Sequence, residues 1–171
     1  MLFLVLILAV VVGGYFGLRA YNDAQKSKGK IPEGDLLLHI AEEDVIEIRF
    51  DYNGVDYVYV KEDGTWRAQS DKTLNIDPSR MMTASTRFAE MVAHATITDV
   101  TDLSLYGLDQ PKKTIGFKTE KESYEFIVGD QNRVTGHYYI AEPGSNTVYS
   151  VTAIIVTQFT YTLEDVIRTT E

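Results

Sequence analysis

Asp130, Arg133 and His137, followed at once by Tyr138 and Tyr139, place a carboxylate, a guanidinium, an imidazole and two phenols within ten residues. Such a set could supply convergent titratable groups, and an exposed tyrosine beside the acidic loop could stack on a sugar ring or grip a peptide. Gly129–Gly136 offers oxygen donors, but Asp130 is not followed by the alternating acidic positions of a calcium loop. A hairpin loop explains the stretch equally well. Alternation along a strand sends Tyr138 and Tyr139 to opposite faces, so one is expected in the core and the other exposed. These five residues form the candidate ligand or partner surface.

Other reactive types are poorly arranged. His39, His94 and His137 are far apart and none has the spacing of a helical zinc motif, so each reads as a surface or satisfied core histidine. Ser145 lies in Pro-Gly-Ser-Asn, a turn rather than a nucleophile elbow. Glu42-Glu43-Asp44 could draw a hard cation but reads first as a solvated turn. Glycosidase chemistry needs two carboxyls about 5–10 Å apart, and an acidic chain meets that spacing by chance. No catalytic residue, cofactor or metal ligand is assigned, and the chain is read as a non-enzyme.

The elements that must carry these residues follow from period and turn chemistry. Val45–Phe50 alternates, Asn53-Gly54 favours a tight hairpin, and Val55–Val60 should return antiparallel. Asp63-Gly64 then marks a second hairpin into Thr65–Ala68, with Trp66 as a core anchor. Asp77-Pro78 opens a helix whose inner stripe is Met81, Ala84, Ser85, Phe88, Met91, Val92 and Ala95. In the second half Thr114–Lys118, Ser123–Val128, His137–Ala141 and Thr147–Val151 read as strands. A closing helix over Thr152–Ile167 points Ile155, Phe159, Leu163 and Val166 inward. The expected class is α+β: two successive sheet-then-helix units of antiparallel meander, 36–100 and 101–171, each covered by its helix. Between them, Leu103, Leu105 and Leu108 should plug a short turn into the core, and Gly107 should take a left-handed or close-packed position.

Residues 1–18 carry no charge and span about 27 Å as a helix, close to a bilayer's hydrocarbon thickness. A buried helix would keep a polar face, and a cleaved leader would begin with basic residues; this run does neither. Tyr15, Phe16 and Tyr21 suit the interface. Residues 1–21 therefore read as a single-pass transmembrane anchor in contact with the lipid bilayer, 22–35 as a juxtamembrane linker, and 36–171 as a soluble domain. Taken literally, Arg19 and the lysines at 26, 28 and 30 after the uncharged run place that end in the cytoplasm, but basic residues upstream of Met1 would reverse the balance, so charge alone leaves orientation open. The whole chain carries a formal charge of −9, with 25 acidic residues against 16 basic ones. That balance argues against nucleic-acid binding. Absence of cysteine excludes disulfides and thiolate chemistry.

The run Leu103-Ser-Leu-Tyr-Gly-Leu-Asp-Gln-Pro111, with Phe126–Asp130, His137–Tyr139, Val148–Val151 and the upstream Gly64-Thr65-Trp66, resembles domain-of-unknown-function family 4340. The resemblance implies a membrane-tethered, extracytoplasmic bacterial domain, with some relatives near ABC-type export or gliding-motility machinery, and it brings no catalytic residues. The functional expectation is a binding or scaffolding module at the cell membrane, accessory to a membrane protein complex such as an ABC-type transporter. The different-class alternative is a cell-envelope hydrolase using carboxylates near the second sheet.

Overall fold

A computed structural model describes residues 34–111 and 113–168. The expected anchor over 1–21 and most of the expected linker lie outside the described residues. Among the described residues no helix is long and apolar enough to cross a membrane.

The strands are β1 (Asp35–His39), β2 (Glu47–Tyr52), β3 (Val55–Glu62), β4 (Thr65–Ala68), β5 (Glu90–Ala93), β6 (Ala95–Ile97), β7 (Lys113–Lys118), β8 (Ser123–Gln131), β9 (Tyr138–Ala141) and β10 (Val148–Val151). Three α-helices accompany them among the described residues: α1 (Pro78–Ala89), α2 (Ala153–Thr157) and α3 (Leu163–Val166). The class is α+β, with a large antiparallel sheet and few helices. Local turn chemistry places the first meander as expected. Asn53 and Gly54 take φ of 53° and 76°, and Asp63 and Gly64 take 49° and 76°, the left-handed pairs that close β2–β3 and β3–β4. Asp77 accepts from the Ser79 N–H at 2.9 Å, and Pro78 begins α1.

The two expected sheets are one. Eight strands run in the order β4-β3-β2-β7-β8-β9-β10-β6, and β2 pairs with β7 so that Ile48 faces Phe117 and Phe50 faces Ile115. Separate meanders would have left β2 and β7 as apolar edges with unpaired backbone; joined, they satisfy each other and continue a single buried face. Asp51 fastens the seam, its Oδ2 accepting from the Thr114 N–H at 3.2 Å and its hydroxyl at 2.7 Å.

Both helical segments cover that one face. Phe88 of α1 stacks on Phe117 at 4.1 Å and on Phe159 at 5.0 Å, and Phe159 in turn meets Phe50 at 5.4 Å. Trp66 is buried there as expected. The helix is shorter than its apolar stripe predicts: α1 stops at Ala89, and Met91 and Val92 belong to β5, paired with β1 in a separate two-stranded sheet. Ala95 begins β6, at the edge of the large sheet. The apolar strand Leu36–Leu38 supplies backbone partners that a longer helix would forgo.

The closing helix is also broken. Residues 158–162 separate α2 from α3, which starts at a capping box where Asp165 Oδ2 accepts from both the N–H and the hydroxyl of Thr162. Lys113 Nζ donates to the Val156 and Phe159 carbonyls at 3.0 and 2.8 Å, satisfying groups that the break leaves free. Burial pulls its pKa to about 8, against the opposing pull of Asp51.

Residues that alternate with the core set form a smaller cluster on the opposite face. Leu108, Ala141 and Val148 are buried there, with Ile127, Tyr106 and Tyr139 packed around them. This cluster carries the candidate site.

Candidate functional site

The segment joining the two halves crosses β8 backbone to backbone. Asp102 accepts from the Ser104 N–H at 3.0 Å and opens a 3-10 turn over Leu103–Tyr106, which Gly107 closes at φ 67°. A Cβ on Gly107 would sit 2.7 Å from Asp130 Cγ, inside van der Waals contact. On the facing strand, a Cβ on Gly129 would run into the Tyr106 carbonyl oxygen and sit 2.9 Å from Leu108 Cγ. The expected role of Gly107 is met in both senses, left-handed and close-packed. The β8–β9 register shifts between Val128 and Gln131, so Gly129-Asp130 form a bulge that turns the strand towards the crossing segment.

Tyr106 and Tyr139 seal the crossing edge to face, with ring centroids 4.9 Å apart. The Tyr139 hydroxyl accepts from Asn132 Nδ2 at 2.7 Å. Asn132 also folds the hairpin tip, its Oδ1 accepting from the N–H groups of Val134 and Thr135 at 2.9 and 3.1 Å. These bonds hold Val134 out into solvent at 95% exposure, while the capped turn holds Leu105 out at 74%. Leu105 was expected in the core; Leu103 and Leu108 take the inward positions of that turn instead.

The five candidate residues do not converge. Asp130 is exposed on the bulge against Gly107, and Arg133 is exposed at the tip. Among the described residues no hydrogen bond or ion pair joins Asp130, Arg133 and His137. Tyr138 and Tyr139 do face opposite ways, yet neither is exposed: Tyr138 packs on the main core and Tyr139 on the rear cluster. The expected free tyrosine face is therefore absent, because the crossing turn covers that side of β9.

His137 finds a partner that spacing does not reveal. Its ring lies 4.5 Å from that of His94, and its Nδ1 is 3.4 Å from the Ser150 hydroxyl. The His94 backbone N–H donates to the Ser150 carbonyl at 2.7 Å, so the order β9-β10-β6 brings the two histidines together. Burial, and then the neighbouring His94, lower the His137 pKa. Among the described residues no group of three or more metal-ligating side chains forms around this pair or elsewhere.

Residues 66–171 match the family described as a domain of unknown function, DUF4340. The chain belongs to that family. No curated protein and no solved structure matches it. The DUF4340 match includes the crossing turn, the bulge and the hairpin tip. It begins at Trp66, inside β4, although β2 and β3 stand between β4 and β7 in the sheet.

Proposed function

We propose that this DUF4340 chain is a non-catalytic, membrane-tethered docking module whose folded part lies outside the cytoplasm and engages an integral-membrane complex of the ABC-exporter kind. One observation carries the reading: the residues most distinctive of the chain are spent on a rigid platform with two apolar tips, Leu105 and Val134. Isolated exposed apolar residues are ordinary. Here they are the most exposed large hydrophobics of the described residues, and both stand on capped turns locked through Gly107, Gly129 and the Tyr106–Tyr139 contact. Pre-ordered side chains lose little entropy on association.

The tether is supported by the uncharged run over residues 1–18. Holding the module beside its partner raises the effective concentration of the encounter. Asp102 caps the turn that carries Leu105, and Asp130 lies against Gly107 on the bulge, so the surface suits a partner whose apolar cleft is bordered by basic groups.

Purification of the full chain from its native membranes tests this. The expected result is retention after an alkaline carbonate wash and co-purification of an integral-membrane protein that is lost in a Leu105→Asp, Val134→Asp double variant of unchanged thermal stability. Release by carbonate, or a complex indifferent to the double variant, would overturn it.

A further inference from the structure

Four of the six buried side-chain polar atoms that lack a hydrogen-bond partner among the described residues belong to one neighbourhood: Tyr59 Oη, Gln158 Nε2 and Oε1, and Tyr161 Oη. It coincides with the break in the closing helix, where an amphipathic pattern that would support continuous helix gives way to residues 158–162. Buried polar groups are nearly always paired, and a local departure from what the sequence favours tends to mark a site of function. A cleft of about 400 Å³ opens at this break, lined by Arg80 and Thr83 of α1, by Thr157, Gln158 and Tyr161, and by Asp165 of α3.

The charges of the cleft form no ion pair with each other among the described residues. Arg80 lies near enough to help lower the carboxyl pKa values of Asp77 and Asp165, whose main causes are their own cap hydrogen bonds, yet it forms no ion pair with either among the described residues. Asp165 commits Oδ2 to Thr162 and leaves Oδ1 without a protein donor among the described residues. Beneath them, a primary amide offers both a donor and an acceptor, and the phenol of Tyr161 offers another of each. Burial raises the pKa of Tyr161, so its hydroxyl stays protonated and able to donate. The Gln158 and Tyr161 atoms are buried, and both residues line the cleft from within the irregular segment 158–162.

We propose that this cleft binds a small zwitterion of free amino-acid size, with its carboxylate on Arg80, its ammonium on Asp165 and its polar side chain on the Gln158 amide and Tyr161 hydroxyl. A cation and an anion that form no ion pair with each other among the described residues are complementary to both ends of such a ligand, whereas a neutral sugar could hydrogen-bond to each but would neutralise neither. The site lies on the helical face of the sheet, and the proposal is independent of the docking platform.

Calorimetry and thermal unfolding of the full chain in mild detergent, with each common L-amino acid in turn at millimolar concentration, test it. One or more polar amino acids should bind with unit stoichiometry, while their N-acetylated and amide-capped forms do not. Arg80→Gln should weaken binding about tenfold or more, equivalent to about 1.4 kcal/mol. Gln158→Met gives the discriminating readout: it removes two orphaned atoms from the floor, so the variant should melt higher than the parent while losing its response to the ligand. Failure of every amino acid to bind, binding of monosaccharides in their place, or a Gln158→Met chain that melts lower and still binds would each overturn the assignment.

Discussion

Two glycines and a histidine pair make the sharpest claims about single residues. Gly129 has the Tyr106 carbonyl where a Cβ would go, and that obstacle is backbone rather than a flexible side chain. Gly129→Ala is therefore expected to cost about 3 kcal/mol or more, read as a lowered denaturant midpoint. Gly107 adds a left-handed φ to its crowding against Asp130. Gly107→Ala should also destabilise, by about 1–2 kcal/mol, since part of the obstacle is the movable Asp130 carboxylate. His137 has a lower pKa folded than unfolded, through burial first and His94 second. The unfolded chain then binds the proton more readily, so the contribution of this group is intact above the ordinary histidine pKa of about 6.5 and declines as pH falls through it. Denaturant midpoints measured from pH 7.5 down to pH 5 should fall, and His94→Gln should flatten that dependence. An equal slope in the variant would show that the histidine contact does not govern it.

At the level of elements, sequence legibility followed the range of the contact. Asn53-Gly54, Asp63-Gly64 and Asp77-Pro78 carry their instructions within two residues, and the hairpins and helix start are where they predict. The β2–β7 seam joins residues more than sixty positions apart, and nothing local distinguishes Ile48 and Phe50 facing Phe117 and Ile115 from the same residues packed beneath a helix. For the same reason the meeting of His94 with His137 was invisible, as each sits at a strand end whose neighbour is chosen by the sheet order. Leu105 departs from expectation because a segment of three leucines reads as uniformly apolar, whereas its 3-10 turn, with Leu103 and Leu105, can bury only part of its circumference. The seam makes its own prediction. Asp51→Ala removes two hydrogen bonds to Thr114 at its end and should cost about 1–2 kcal/mol, with the earliest loss of amide protection in Thr114 and its β2 neighbours.

For the whole molecule, the family match and the folding unit have different limits. A chain starting at Trp66 keeps β4 and β7 but lacks β2 and β3, which lie between them, and so exposes the apolar edge of β7. Fragment 66–171 should be aggregated or unfolded by size exclusion and proton chemical-shift dispersion, while fragment 34–171 should be monodisperse with dispersed amide signals. One continuous sheet also explains how the two proposed sites coexist, the docking surface on the rear of β8 and β9 and the amino-acid cleft among the helices on the other face.

The central claim is that Leu105 and Val134 meet a membrane partner, and photo-crosslinking in intact membranes addresses it directly. The full chain would carry a photoreactive residue at position 105, at 134, or at the exposed Glu125 of β8 as a comparison site. Crosslinks from 105 and 134 to the same integral-membrane protein, with none from 125, are the predicted result. Equal labelling from all three sites, or none from the two tips, would contradict the account.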